Sequence, residues 1–278
     1  MSVRIVTDSS ADLPADDVER LGVEVVPLSI RFGSDEYTDG VDLSVAQFYE
    51  KLASSADLPE TAAPSPGAFE AAFRRQGGAG ADAVVCINLS SGLSATLQSA
   101  QNAAKAVDDL DVRVVDSRSI TSGLGTQVIL AAEAAGGGAS ADEVVALVED
   151  LVGRTHVFGA LDTLDNLKKG GRIGGAQARL GSLLSIKPLL DISSGEVAEA
   201  GKARTRRKAL EWLRDRVFAE PTVDHLCVAH GMADDVDAML ALLAPRYPAD
   251  TIRVTTIGAT IGTHGGPRVM GLTWVDPA

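Results

Sequence analysis

The chain has few of the residues from which disulfide frameworks and metal sites are built. It contains two cysteines and four histidines in 278 residues. Cys86 and Cys227 both lie in apolar, strand-like runs, so we expect reduced thiols in a protein core rather than a disulfide or a metal pair. The histidines are scattered without the spacing of metal ligands. We therefore predict no metal and no cofactor.

Long hydrophobic runs are also missing. No uninterrupted apolar run approaches the roughly 20 residues that a membrane-spanning helix requires. The first ten residues place Arg4 and Asp8 around an apolar run that is too short for the central region of a signal peptide. We therefore expect a cytoplasmic, globular protein with at most transient membrane contact. Its length and its hydrophobic content of 45% allow a sizeable core and favour two domains.

Positive charge is scarce overall but unevenly distributed. The formal net charge of −13 disfavours nucleic acid as a partner, because most of the surface would repel a phosphate backbone. Residues 168–216 nevertheless contain twelve basic and five acidic residues. Such a segment is typical either of a solvated helix face or of a docking surface for an anionic partner or ligand head group.

The order of apolar segments predicts an α/β protein. Residues 1–155 alternate short strands with helices, which indicates a parallel sheet with helices on both faces. One strand is expected over residues 23–32, and polar residues follow the strands at their carboxyl ends, where ligands of such sheets usually bind. Residues 156–278 predict a mixed α+β domain with a hairpin over residues 187–204.

Signatures of self-contained enzymes do not occur in the sequence. The segment from Gly195 to Ala203 has the wrong glycine spacing for a Walker A loop and ends in alanine where serine or threonine is needed. Gly123 and Gly125 lack the third glycine of a dinucleotide fingerprint, and no G-x-S-x-G elbow is present. We therefore predict no catalytic residue in this chain.

Three polar clusters are suited to capturing an anion. Residues 90–96 (SSGLSAT) join a buried strand to a helix, whose free N–H groups favour a carboxylate or phosphate, although Ser94 fits an ordinary N-cap equally well. Residues 61–67 form a proline-rich loop that leads into a helix. Residues 262–267 (GTHGGP) predict a glycine-rich turn, in which His264 either meets a ligand or is simply exposed.

Together, these motifs resemble the DegV family, which includes the fatty-acid-binding subunits of bacterial fatty acid kinase. The resemblance runs from residue 3 to residue 275, and its most specific strings are LKKGGRI (167–173) and GTH-x-GP (262–267). The chain departs from the family's usual residues at Ala62, Ala63, Ala95 and Arg268.

The resemblance implies a function for the chain. It implies a two-domain fold that holds a long-chain fatty acid and presents its carboxylate to a separate ATP-dependent kinase, which forms the acyl phosphate. The Thr61 and Ser94 hydroxyls and the Ala95 N–H would bind the carboxylate, and Arg204 and His264 would lie near it. Candidates for docking the kinase are Lys169, Arg172 and Arg207.

Two alternatives remain open from the residues alone. Asp8, in the TDSS segment, could be the nucleophile or a metal ligand of a phosphotransferase or phosphatase, with a spatial partner such as Asp116. The chain could also be a non-catalytic module that docks through its basic segment.

Overall fold

A parallel sheet organises the first half of the computed structural model, which describes residues 2–55, 57–174 and 186–278. Its four strands lie in the spatial order β2 (Glu24–Val26), β1 (Val3–Asp8), β6 (Ala83–Asn88) and β7 (Asp111–Asp116), and all neighbours are parallel. Every residue of β6 is buried, as expected for a central strand with two covered faces.

Helices cover both faces of this sheet. On one face, α3 (Pro66–Gly78) and α4 (Thr96–Ala104) pack on Val84 and Cys86. On the other face, α5 (Thr121–Gly136) and α6 (Ala141–Arg154) pack on Val85 and Ile87, and α1 (Ala15–Leu21) lies against α5. The alternation of β6 side chains between the two cores confirms the predicted parallel sheet with two helical layers.

A mixed sheet organises the second half. Its spatial order is β10 (Ala198–Ala203), β9 (Lys187–Asp191), β8 (Thr155–Ala160), β13 (Met270–Val275), β11 (Asp224–His230) and β12 (Arg253–Thr256). All neighbours are antiparallel except β11 and β12. Helices α8 (Arg206–Ala219) and α9 (Val236–Leu243) pack on one face. The hairpin expected over residues 187–204 is β9 and β10, and the chain enters this sheet at Thr155.

The expectation of one strand over residues 23–32 is wrong. Pro27 separates β2 from β3 (Ser29–Phe32), which lies in a different sheet between β4 (Asp35–Thr38) and β5 (Glu60–Ala62). Proline lacks the N–H that a continuing strand would donate, so the break falls there. This small antiparallel sheet packs against α2 (Val45–Ser54) through Phe48.

The expectation of a turn over residues 262–267 is also wrong. Residues Ala259–Gly265 form a helix, α10, which ends at Gly266 with φ +78°. Gly262 lets α10 approach α2 closely, because a Cβ at this position would lie 2.6 Å from Tyr49 Oη. A short helix, α7 (Asp165–Lys169), packs against α10. Within the described ranges, no helix is long and apolar enough to cross a membrane.

Candidate functional site

An apolar cavity lies between the two halves of the molecule. Residues of both halves line it, and nearly all of its surface is apolar. Leu89 and Leu93 line it from the first half, and Leu190, Ile192 and Ile261 line it from the second. The aliphatic lining suits a hydrocarbon chain.

Several polar side chains line the cavity, and two of them are in contact. Thr61 Oγ1, on β5, lies 3.1 Å from His264 Nε2, on α10. Ser94, which also lines the cavity, accepts the Thr96 N–H at 3.2 Å through Oγ. The Arg172 guanidinium is near enough to His264 to affect its titration. Among the described lining residues, Arg172 is the only one with a permanent positive charge.

His264 is neutral in this environment. Burial lowers the pKa of its imidazole to about 4, and the positive charge of Arg172 acts in the same direction. The neutral ring carries one N–H, which either Nε2 or Nδ1 holds. Nδ1 is buried and has no hydrogen-bond partner in the part of the chain that is described. The Thr61 hydroxyl and the His264 ring therefore form one coupled pair of hydrogen-bonding groups.

The two glycines of LKKGGRI are needed for different structural reasons. A Cβ on Gly170 would lie 2.3 Å from His264 Nδ1, so only glycine lets this loop approach the ring. Gly171 has φ +69°, a left-handed conformation that favours glycine. Nearby, Asn166 Nδ2 donates to the Thr263 carbonyl at 2.9 Å and joins α7 to α10. Sequence reasoning quoted this motif but gave no role to Asn166 or Gly170.

The loop of residues 90–94 is held against the β9–β10 hairpin. Ser90 Oγ donates to the Gly195 carbonyl at 2.6 Å, and a Cβ on Gly92 would lie 2.8 Å from the same oxygen. Arg172 links this loop to the glycine motif, because Nε donates to the Leu93 carbonyl at 3.4 Å and Nη1 to the Gly170 carbonyl at 2.9 Å. Arg172, expected only as a docking residue, thus also lines the cavity.

The other predicted residues lie outside the lining. Ala95 is exposed at the N-terminal end of α4, and Arg204 is exposed between β10 and α8. Neither is among the described residues that line the cavity. Lys169 is exposed at the end of α7, and Arg207 is 87% exposed and pairs with Glu211 at 2.9 Å. The structure therefore brings together Thr61, Ser94, Arg172 and His264.

Asp8 is part of the hydrogen bonding that holds the strand ends together. Its carboxylate is fully buried and accepts hydrogen bonds from Ser10 Oγ at 2.5 Å, the Leu89 N–H at 2.9 Å and Asn88 Nδ2 at 3.1 Å. Burial raises its pKa above the ordinary value. Asp116 instead accepts from Ser91, and no cluster of metal-ligating side chains occurs in the described ranges. This arrangement joins the ends of β1 and β6 and disfavours Asp8 as a nucleophile.

A family model described as "Uncharacterised protein, DegV family" matches residues 2–276. The chain belongs to the DegV family. A DegV domain-containing protein of Streptomyces coelicolor is 39% identical over 277 residues, which is 97% of both chains. Protein DegV of Bacillus subtilis is 32% identical over 279 residues, or 99% of both.

Solved DegV structures have the same fold. A DegV-family protein from Thermus thermophilus, described by its fatty acid binding, superposes with a TM-score of 0.89 at 36% identity over the whole of both chains. DegV from Bacillus subtilis, described as a fatty acid binding protein, superposes with a TM-score of 0.87 at 30% identity, again over both chains in full. The family and fold inferred from the sequence motifs are thereby confirmed.

Proposed function

We propose that this protein binds a long-chain fatty acid in the apolar cavity and presents the carboxylate to a separate ATP-dependent kinase that forms the acyl phosphate. The observation that carries the proposal is the cavity itself, which has a mostly aliphatic lining. We assign the carboxylate to four polar residues of that lining, here called the polar end: Thr61, Ser94, Arg172 and His264. Structural relatives described as fatty-acid-binding proteins support the same ligand.

The polar end supplies what a carboxylate requires. A desolvated carboxylate needs donors, and charge-assisted hydrogen bonds are the strong ones. If His264 Nε2–H donates to Thr61 Oγ1, the Thr61 hydroxyl proton is free to point at the ligand. If Thr96 Oγ1 donates to Ser94 Oγ, the Ser94 hydroxyl proton is free as well. Arg172 balances the charge. The Ala95 N–H and Arg204 stay predictions, since both lie outside the cavity lining.

The hydrocarbon tail supplies most of the affinity. Burial of about 0.8 kcal/mol per methylene gives roughly 11 kcal/mol for ~14 methylenes, before the costs of association are subtracted. The head-group contacts mainly orient the carboxylate. Orientation matters for a carrier, because phosphoryl transfer depends on the position of the nucleophile and on charge neutralisation.

The ligand can be identified directly. Extraction of the purified protein followed by mass spectrometry should yield a C14 to C18 fatty acid, and delipidated protein should bind palmitate or oleate saturably in calorimetry. A bound metal instead would favour the phosphotransferase alternative, and recovery of nothing would favour a docking module. Absence of saturable binding by the delipidated protein would refute the fatty acid assignment.

The kinase step has its own test. Because the chain has no nucleotide-binding signature, the protein alone should not hydrolyse ATP, whereas with its kinase it should support acyl phosphate formation. Reversing the charge of Lys169 or Arg207 to Glu should slow coupled turnover and leave fatty acid binding intact, since both side chains are exposed and outside the cavity lining. Lys105→Glu is the control, because Lys105 is exposed outside the basic segment. Reversals that abolish ligand binding, or a control that slows turnover equally, would contradict this docking surface.

A further inference from the structure

Asp12 joins the two halves of the molecule. It follows the 3-10 turn Ser9–Ala11 after β1 and has φ +49°. Its carbonyl oxygen accepts from Thr255 Oγ1 at 3.0 Å, and Oδ1 accepts the Gly258 N–H at 2.9 Å. Both donors belong to the segment from β12 to α10. One residue of the first half therefore holds the start of the helix that carries His264.

The same contact lies behind the wall of the apolar cavity. Ile257 and Thr260, which flank the segment that Asp12 holds, line the cavity, and so does Thr121. The Thr121 hydroxyl faces the Asp12 carboxyl, yet neither Thr121 Oγ1 nor Asp12 Oδ2 has a hydrogen-bond partner of regular geometry among the described residues. Thr121 also has φ +45°, which is strained for a β-branched residue. Asp12 therefore lies next to Thr121, a side chain that lines the cavity.

Two other acidic side chains lie near the Asp12 carboxyl. The carboxyl groups of Asp8 and Asp39 act on it electrostatically, and Tyr49 and Cys227 are the other titratable groups that it influences. Across the described ranges, no lysine or arginine is among the groups that shift the pKa of Asp12. Asp12 is half-buried as a residue, but its Oδ2 is buried. Burial of the carboxyl first, and then the neighbouring acidic groups Asp39 and Asp8, raise its pKa to about 8.

We propose that Asp12 is a proton-dependent clasp between the two halves of the protein. With its proton bound, the neutral carboxyl holds Gly258 and contacts Thr121. When the proton passes to solvent, the Gly258 N–H still donates to Oδ1. The buried Oδ2 then carries charge without a hydrogen-bond partner among the described residues and beside Asp8 and Asp39, which destabilises the contact between the two halves. The protein should therefore retain a ligand in the cavity less well at alkaline pH. Only this last consequence rests on the proposed fatty acid function.

The clasp itself is tested without ligand. Asp12→Asn keeps an oxygen for the Gly258 N–H and an NH₂ group toward Thr121, but it cannot titrate. The ratio of the wild-type to the variant unfolding constant should rise up to about tenfold per pH unit between pH 5 and about 8, then level off, since the folded wild type binds one proton more than the unfolded chain in that window. Asp16→Asn, an exposed position nearby, makes the same charge change and should give a constant ratio. A constant ratio for Asp12→Asn as well would overturn the clasp.

A measurement on the wild type protects the test against a variant that does not fold. With ¹³C-labelled aspartate carboxyl carbons, one resonance should titrate near pH 8, and a spectrum in which every aspartate titrates below pH 6 would overturn the proposal. The ligand arm compares palmitate dissociation rates between pH 6.5 and 9.5. The rate should rise through about pH 8 for wild type and stay flat for Asp12→Asn. Equal pH profiles would refute the link to the cavity, whereas failure of both proteins to bind palmitate would refute the proposed function and leave the stability test of the clasp standing.

Discussion

The head-group assignment makes its sharpest prediction at Thr61. Thr61→Val removes the hydroxyl but keeps the β-branched shape on β5, where Thr61 pairs with Ile30 of β3. Loss of one hydrogen bond to a charged group costs roughly 1.5–3 kcal/mol, which corresponds to an increase of about 12- to 150-fold in the Kd for a fatty acid. The lower end applies if a water molecule replaces the hydroxyl.

The substitution also affects the ligand-free protein. Thr61 Oγ1 is the partner of His264 Nε2, so valine leaves a half-buried ring nitrogen without its hydrogen bond. That cost, of about 1–3 kcal/mol, lowers the free energy of unfolding of the free and the bound protein alike and does not enter the Kd. Stability and affinity must therefore be measured separately.

Two ligands distinguish the contribution of the head group to the affinity from that of the tail. Palmitate and hexadecanol share the hydrocarbon chain, but only palmitate carries a charge. We expect Thr61→Val to raise the Kd for palmitate by about 12- to 150-fold and the Kd for hexadecanol by only about 2- to 12-fold, because a neutral hydrogen bond contributes about 0.5–1.5 kcal/mol. Tryptophan emission can report binding, since Trp212 and Trp274 lie 5.8 and 5.3 Å from the ring of Phe158, which lines the cavity.

The outcome can refute the assignment. Thr222→Val, at an exposed position, is the matched control and should change neither Kd. If Thr61→Val leaves the ratio of the palmitate and hexadecanol Kd values unchanged within about twofold, the Thr61 hydroxyl does not bind the carboxylate.

Three further predictions follow from the same site. Gly170→Ala should weaken palmitate binding at least tenfold, because its Cβ would displace His264. Gly171→Ala should mainly lower stability, by about 1 kcal/mol, because Gly171 has a positive φ. Equal effects of the two variants on the calorimetric Kd for palmitate would contradict these assignments. Gly159→Leu should shift the preferred ligand to shorter fatty acids in a C10 to C18 series, because the leucine side chain would project into the cavity. An unchanged chain-length profile would contradict the position of the hydrocarbon tail in this cavity. As the pH rises from about 4 to about 6.5, the wild type should gain stability relative to His264→Asn, by up to about 1.4 kcal/mol per pH unit in urea unfolding. The reason is that the His264 ring binds fewer protons in the folded protein than in the unfolded chain. A stability difference that does not change with pH would refute the neutral imidazole.

Much of the fold was determined by the sequence itself. Strands such as β6 are continuous apolar runs flanked by helices, and this pattern leaves a parallel sheet covered on both faces as the favoured arrangement. The pattern failed where short segments take their structure from distant partners. β3, β4 and β5 have only three or four residues each, and α10 is rich in glycine, so neither carries a periodic signal of its own.

For the candidate site, too, the sequence indicated some features and the tertiary structure decided others. Motif resemblance suggested Thr61, Ser94 and His264 as site residues, because their residue types suit anion capture, but it gave no distance between them. Tertiary structure brought β5, the 90–94 loop and α10 to one cavity and added Arg172, while it placed Arg204 outside the lining. The protonation states of His264 and Asp12 were equally beyond the sequence, because burial and the charges of residues distant along the chain set each pKa.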